Sequence, residues 1–302
     1  LLSPLCALLL ACQGESTDTP KGAGGTTIAA AAGAQGNTPA TQTTISANAK
    51  LGAQLNLDDQ QDFNDAARGL IAAPPSLQVA GPGNSTVWDM PAFDFVKGKA
   101  PDTVNPSLWR QAMLNNHYGL FKVTDGVYQL RGFDLANMSL IEGHTGWIVV
   151  DPLTTRETAA AAIAFAREHL GNKPISAILF THSHIDHFGG ALSVLGAGEN
   201  TQIVAPVGFM EEATSENVIA GNTMSRRSMY MYGTQLERSP RGHVDSGLGK
   251  GPALGSPGIA APTRTITTTG ETLTIDGVDF IFQNAPGSEA PAELTFYLPQ
   301  HK

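Results

Sequence analysis

An α/β sandwich is the fold class the sequence predicts, and three observations predict it. Apolar segments flank Asp125-Gly126 and Asp276-Gly277, the turn dipeptides of tight β-hairpins. Between them, the apolar run Trp147–Val150, the helix-forming stretch Thr158–Leu170 and the apolar run Ile175–Phe180 make a strand-helix-strand unit. Directly after that unit comes Thr181-His182-Ser183-His184-Ile185-Asp186-His187-Phe188-Gly189-Gly190, with three histidines and an aspartate within six residues. Such a group at the end of a buried strand predicts a metal cluster.

Whole-chain properties set the limits. At 302 residues and 41% hydrophobic content the chain can bury a real core. A formal net charge of −9 with only 18 Lys plus Arg excludes the concentrated basic face that a nucleic-acid partner needs. Both cysteines, Cys6 and Cys12, sit in the opening apolar segment, so the body has neither a disulfide framework nor a thiolate metal site. Leu5–Ala11 is too short to span a bilayer but has the length of a signal-peptide core. Leu9-Leu10-Ala11-Cys12 is similar to a bacterial lipoprotein cleavage box, in which Cys12 becomes the lipid anchor; a plain secretory signal is the alternative. Either predicts export, to the periplasm or to a lipid-anchored place in the cell envelope. The sequence lacks an initiator Met and stops at Lys302 soon after an expected strand, which predicts a fragment.

The expected organisation is a signal segment over residues 1–12, a flexible linker over 13–57 and a catalytic domain over 58–302. The linker is rich in Thr, Ala, Gly and Gln, too polar to offset the entropy of ordering. Asp58 and Asp59 lead into Phe63, Ala66, Ala67, Leu70 and Ile71 at helical spacing, ended by Pro74-Pro75. Residues 82–106, rich in Pro, Gly and Asp with scattered aromatics, predict an ordered wrap over a core. A short helix is expected over Ser107–Asn115, a hairpin of Leu120–Val123 with Val127–Leu130, and a strand pair of Met138–Ile141 with Trp147–Val150. Thr154 and Glu157 have capping-box spacing before the helix that Gly171 closes. A helix is expected to begin at Gly189-Gly190. A strand over Gln202–Ala205, a helix over Gly208–Ile219 and a hairpin of Glu271–Ile275 with Val278–Gln283 complete the pattern.

The spacing inside the cluster carries chemistry. His182 and His184, two apart on an extended chain, point the same way and can share one ion. Asp186 and His187 follow a turn and can face a second ion; two adjacent ions lower the pKa of a shared water toward ~7. Gly189-Gly190 permits close backbone approach.

This His-x-His-x-Asp-His pattern resembles the signature of the metallo-β-lactamase superfamily, and Asp151 matches that superfamily's strand-end aspartate. Three further segments resemble its alkylsulfatase branch: Glu216–Asn222 with Met224–Arg227, Met231–Gly233, and Asn284–Glu293. The resemblance implies a metallo-β-lactamase-like αββα sandwich, present here in part and preceded by the signal segment and tether, with two Zn2+ ions in the complete protein. It implies hydrolysis of linear primary alkyl sulfates of the dodecyl sulfate type, activated water attacking carbon and sulfate leaving. It implies metal ligands His182, His184, Asp186 and His187, with Asp186 also catalytic, and Glu289 as third ligand of the first ion. His243 is the rival third ligand, as in other members, and Glu293 a supporting acid. The relatives carry a further glutamate and histidine downstream, then a helical dimerisation region and a sterol-carrier-like domain; a homodimer is implied for the complete protein. Arg226 and Arg227 are candidates for holding sulfate or for surface solvation. Tyr232, with Met224, Met229, Tyr230 and Met231, is a candidate for meeting the alkyl chain or for plain packing. Rival functions are another hydrolase on the same centre, acting on a lactam, lactone or thioester, and a non-catalytic envelope binding protein.

Overall fold

The computed structural model describes residues 37–195 and 201–301. The opening segment with Cys12 and the first part of the linker lie outside these residues. Within the linker the expectation of a tether is corrected: α1 (Gln42–Gly52) is a regular helix. Thr41 caps it by accepting from Thr44 N at 3.3 Å, and Asn48 Nδ2 donates to Asp102 O at 3.0 Å, a tertiary contact that composition cannot reveal. The amphipathic helix expected to reach Ile71 is shorter. α2 (Gln61–Ala67) ends before Gly69, whose φ of 78° turns the chain, and β1 (Leu70–Ala72) joins a sheet instead. β2 (Gln78–Ala80) and β3 (Thr86–Asp89) pair in the wrap, and α3 (Pro106–Leu114) is capped by Asn105.

The expected hairpin forms from β4 (Gly119–Thr124) and β5 (Val127–Arg131), followed by β6 (Met138–Glu142) and β7 (Trp147–Val150). α4 (Arg156–Leu170) crosses to β8 (Ile175–Leu179). Its cap is Thr155, not Thr154, because the amide and hydroxyl of Thr154 both donate to buried Asp134. Glu157 accepts from Ser256 N rather than closing a capping box. The helix expected at Gly189-Gly190 is one turn, α5 (Ala191–Val194). β9 (Gln202–Pro206) precedes α6 (Phe209–Thr214), a wide π turn over Ser215–Ile219, and α7 (Gly221–Tyr232). A strand not foreseen, β10 (Arg264–Ile266), pairs with β9. β11 (Thr272–Ile275), β12 (Val278–Asn284) and β13 (Leu294–Tyr297) close the described chain.

Eight strands form one sheet in the order β1-β4-β5-β6-β7-β8-β9-β10, antiparallel as far as β7 and parallel from there to β10. β11, β12 and β13 form a second, antiparallel sheet. Side-chain alternation explains why β7 and β8 read as unbroken apolar runs. Val149 and Ile178 join the core shared with α4, whereas Ile148, Val150, Ala177 and Leu179 meet Phe280, Phe282 and Leu294 of the second sheet. The result is a helix layer, an eight-stranded sheet and a three-stranded sheet, and the C-terminal ends of β7 and β8 open beside the loop joining β12 to β13.

Candidate metal centre

Where β7 ends, Asp151 takes a left-handed backbone conformation at φ 54°, which aspartate tolerates better than bulkier residues. Its Oδ1 accepts from Thr181 N at 2.8 Å and its Oδ2 from Thr181 Oγ1 at 2.7 Å; Oδ2 also lies 2.8 Å from His187 Nδ1. One carboxylate thus fastens the ends of two parallel strands and orients a histidine of the cluster.

The chain is extended at His184 and then turns in a single 3-10 turn, Ile185–His187. The three imidazoles converge, with ring centroids 4.8 Å apart for His182 and His184 and 3.9 Å for His182 and His187. Thr181 Oγ1 has one proton and gives it to Asp151, so at 2.9 Å from His182 Nδ1 it accepts. His182 therefore carries its proton on Nδ1, and its Nε2 presents a lone pair. That Nε2 is buried and has no hydrogen-bond partner among the described residues. Glu289 arrives from the β12–β13 loop with Oε1 at 3.8 Å from both His182 Nε2 and His184 Nδ1. Asp186 Oδ2 lies 3.4 Å from His187 Nε2, and Glu216 Oε2 lies 3.8 Å from His184 Nε2.

The Glu289 loop is shaped by its own acid. Glu293 Oε2 accepts from the amides of Glu289 at 2.7 Å and Ala290 at 2.9 Å. Ser183 N donates to Ala292 O and Leu294 N to Thr181 O, so this loop is joined edge to edge with the histidine loop. Close approach on the other side is set by Gly189 and Gly190, where a Cβ would fall 2.0 Å from Thr154 O and 2.2 Å from Pro152 O respectively. The expected role of the two glycines in backbone approach agrees with this contact.

Electrostatics favour a cation here. Burial, with His187 adjacent, holds His182 below the ordinary imidazole range. Burial alone would lower His187 as well, but hydrogen bonds to Asp151 and Asp186 push it up to about 10. Burial opposes the charge on Asp186, and the His187 contact outweighs it to leave that carboxyl below its usual range. Two carboxylates around one imidazole call for positive charge. An orphaned, buried imidazole nitrogen facing a carboxylate, beside a second His and Asp pair, fits a divalent metal with N and O ligands.

A cleft of about 500 Å³ opens over His184, Asp186, His187 and Glu289 and is walled by α7. Arg227 and Tyr232 line it, as do Met224 and Met231. Burial, then the charge of Asp186, raises the Tyr232 phenol, which therefore stays protonated. Arg226, expected beside Arg227 as a sulfate-binding candidate, is exposed and lies outside the cleft lining, because successive helical residues diverge by about 100°. His243, the rival third ligand, packs edge-on against Phe93 at 5.6 Å and belongs to neither of the two candidate ligand groups, Asp151/His182/His187 and His182/His184/Glu289. Sequence reasoning assigned no site role to Thr181 or Glu216 and matched Asp151 only by its place after β7. Their partners lie at nearest one residue and at farthest 36 residues away, and only Asp151 had a signal, as an aspartate ending an apolar strand.

The chain resembles known proteins in sequence and in fold. The metallo-beta-lactamase superfamily model matches residues 131–282. The chain is 46% identical over 264 residues to an alkyl/aryl-sulfatase, BDS1, of Saccharomyces cerevisiae, covering 86% of this chain and 41% of that one. It is 44% identical over 270 residues to a linear primary-alkylsulfatase of Pseudomonas sp., covering 87% and 40%. The solved structure of the stereoselective inverting sec-alkylsulfatase Pisa1 from Pseudomonas sp. superposes with a TM-score of 0.83 at 46% identity, covering 87% and 42%. The chain spans about two fifths of the length of these relatives.

Proposed function

Since the chain belongs to the metallo-beta-lactamase superfamily, we propose that its histidine and acid cluster binds zinc and serves the hydrolysis of alkyl sulfates to alcohol and sulfate. The observation that carries this reading is the convergence of His182 Nε2 and His184 Nδ1 on Glu289 Oε1 at the mouth of a cleft with mixed lining. Kinship with named alkylsulfatases at 44–46% identity supports the substrate class.

In this reading His182, His184 and Glu289 hold one ion, and Asp186 and His187 contribute to a second. The bound metal supplies Lewis acidity and an activated water at neutral pH. The chain's own residues supply the rest. Thr181 and Asp151 hold the protons of His182 and His187 on the nitrogens that face away from the ligand position. Asp186, beside His187 in the cleft, is the acid assigned to catalysis in this reading. Arg227 offers charge to the sulfate, the Tyr232 phenol donates a hydrogen bond, and Met224 and Met231 offer an adaptable apolar wall to the alkyl chain. The relatives include primary and secondary alkylsulfatases; the substrates proposed here are linear primary esters such as dodecyl sulfate, whose chain would lie along Met224 and Met231. Export follows in the same reading from the Leu9–Cys12 box, with Cys12 as the lipid anchor.

The test is sulfate release from dodecyl sulfate and from a secondary alkyl sulfate by the purified protein, dialysed against chelator and then reloaded with zinc. Activity should vanish with chelator and return with zinc, and the primary ester should be preferred. Undiminished activity without metal would overturn the metal role, and preference for the secondary ester would overturn the substrate assignment.

A further inference from the structure

Each imidazole of the cluster has one nitrogen turned to the candidate ligand position and the other turned to an oxygen. For His182 the outer oxygen is Thr181 Oγ1 at 2.9 Å, and for His187 it is Asp151 Oδ2 at 2.8 Å. His184 follows the same arrangement with the nitrogens exchanged: Nδ1 faces Glu289 Oε1, and Nε2 faces Glu216 Oε2, both at 3.8 Å. We propose that Glu216 is the positioning residue of His184, accepting the Nε2 proton and so fixing the tautomer that leaves Nδ1 free for the metal. The inference rests on the zinc reading above.

The backbone around Glu216 gives this a structural cause. Ser215–Ile219 is a π turn, closed by Ala220 N donating to Ser215 O at 2.9 Å, and Asn217 Nδ2 donates to Ala213 O at 2.9 Å. A π turn places one more residue per turn than an α-helix, which re-aims the side chains it carries. Glu216 is thereby delivered to the cleft while its neighbours Val218 and Ile219 face solvent at 74% and 81% exposure. Its side chain is 26% exposed and the His184 side chain 29%, so the contact is shielded without being sealed. A separation of 3.8 Å is longer than a hydrogen bond, so the proposed bond requires the two side chains to draw closer on metal binding. Carboxylate partners on the outer nitrogen of a ligating histidine are a general means of fixing ring orientation and raising ligand basicity.

The test compares zinc affinity of the wild-type chain, Glu216→Ala and Glu216→Gln by competition with a chromogenic chelator, with 15N chemical shifts of the zinc-loaded histidines as second readout. Glu216→Ala should weaken zinc binding about 10- to 100-fold. Glu216→Gln keeps an acceptor oxygen and should recover most of that loss. The His184 ring should show Nε2 protonated and Nδ1 metal-bound in the wild type, and a mixed pattern in Glu216→Ala. Metal-free thermal unfolding of the three proteins should coincide, which separates positioning from folding. Equal zinc affinity in the wild type and Glu216→Ala, or zinc on Nε2 of His184, would overturn the assignment of Glu216 alone. A wild-type chain that binds no zinc would overturn the zinc reading beneath it.

Discussion

The two loops that meet at the candidate centre are built on opposite principles. The histidine loop grows from a parallel strand buried on both faces, and its residues are held by partners outside it: Asp151 on Thr181 and His187, Thr154 and Pro152 carbonyls against Gly189 and Gly190. The Glu289 loop joins two antiparallel strands, buries Ala290 and Ala292 but leaves the Glu289 side chain 64% exposed, and is shaped from within by Glu293. A scaffold-held wall therefore carries most of the candidate ligands, and a loop shaped largely by its own Glu293 brings Glu289 from the second sheet. The difference teaches that the first loop should fail through the fold and the second through the site.

Glycine substitutions separate the two loops most sharply. A Cβ on Gly190 would fall 2.2 Å from Pro152 O, 2.4 Å from Ala159 Cβ and 2.6 Å from Thr155 O, with backbone on two sides that cannot yield cheaply. Gly190→Ala is expected to cost about 3 kcal/mol in urea unfolding. Gly287 in the other loop has open space around it but a φ of 75°, so Gly287→Ala should cost only about 1 kcal/mol, the strain of a left-handed alanine. Equal costs at the two positions would contradict the distinction.

Asp151→Asn tests the scaffold partner itself. Asparagine keeps one acceptor for Thr181 N but presents an amide where Oδ2 met Thr181 Oγ1 and His187 Nδ1. Zinc affinity should fall about 10- to 100-fold. The pH dependence gives an independent readout on the metal-free chain. His187 is raised from its ordinary value of 6.5 to about 10, so the folded state binds its proton more tightly than the unfolded state. That contribution is complete below the unfolded value and is lost as pH rises through about 10. Melting temperature of metal-free wild type should thus decline between these limits, and Asp151→Asn should flatten the decline. Zinc binding has the opposite sign, strengthening over the same window because the metal needs neutral imidazole. An unchanged slope in Asp151→Asn would remove Asp151 as the cause of the His187 shift.

How much of this was legible depended on how locally each feature is encoded. The hairpins at Asp125-Gly126 and Asp276-Gly277 and the unit from Trp147 to Phe180 rest on turn chemistry and apolar runs, which sequence displays directly. His182, His184, Asp186 and His187 lie within six residues of one another, so spacing alone brings them together. Features decided by distant partners were not legible. Thr154 loses the cap to Thr155 because Asp134 takes its amide and hydroxyl, and Leu70 leaves a helical pattern because β4 offers it a sheet edge. Glu216 reaches His184 only through the π turn, and π turns have no composition signal. Glu289 came from family resemblance rather than from spacing, being more than a hundred residues from His182.

The smallest expected effect bears on that last choice. Glu293→Ala frees the amides of Glu289 and Ala290 from the Oε2 that gathers them, while the edge contacts Ser183 N to Ala292 O and Leu294 N to Thr181 O remain. The exposed Glu289 amide recovers water while the amide of buried Ala290 loses its partner, so stability should fall by about 1 kcal/mol. Glu289 loses its fixed direction, and zinc affinity should fall about tenfold, the low end for a residue acting through a ligand. His243→Ala is the matched control, since His243 packs on Phe93 away from the cluster and should leave zinc affinity unchanged. Chelator competition on the two variants decides the matter: a loss in His243→Ala with none in Glu293→Ala would transfer the third ligand from the second sheet to the 243 loop, and with it the view that the centre closes between the two sheets.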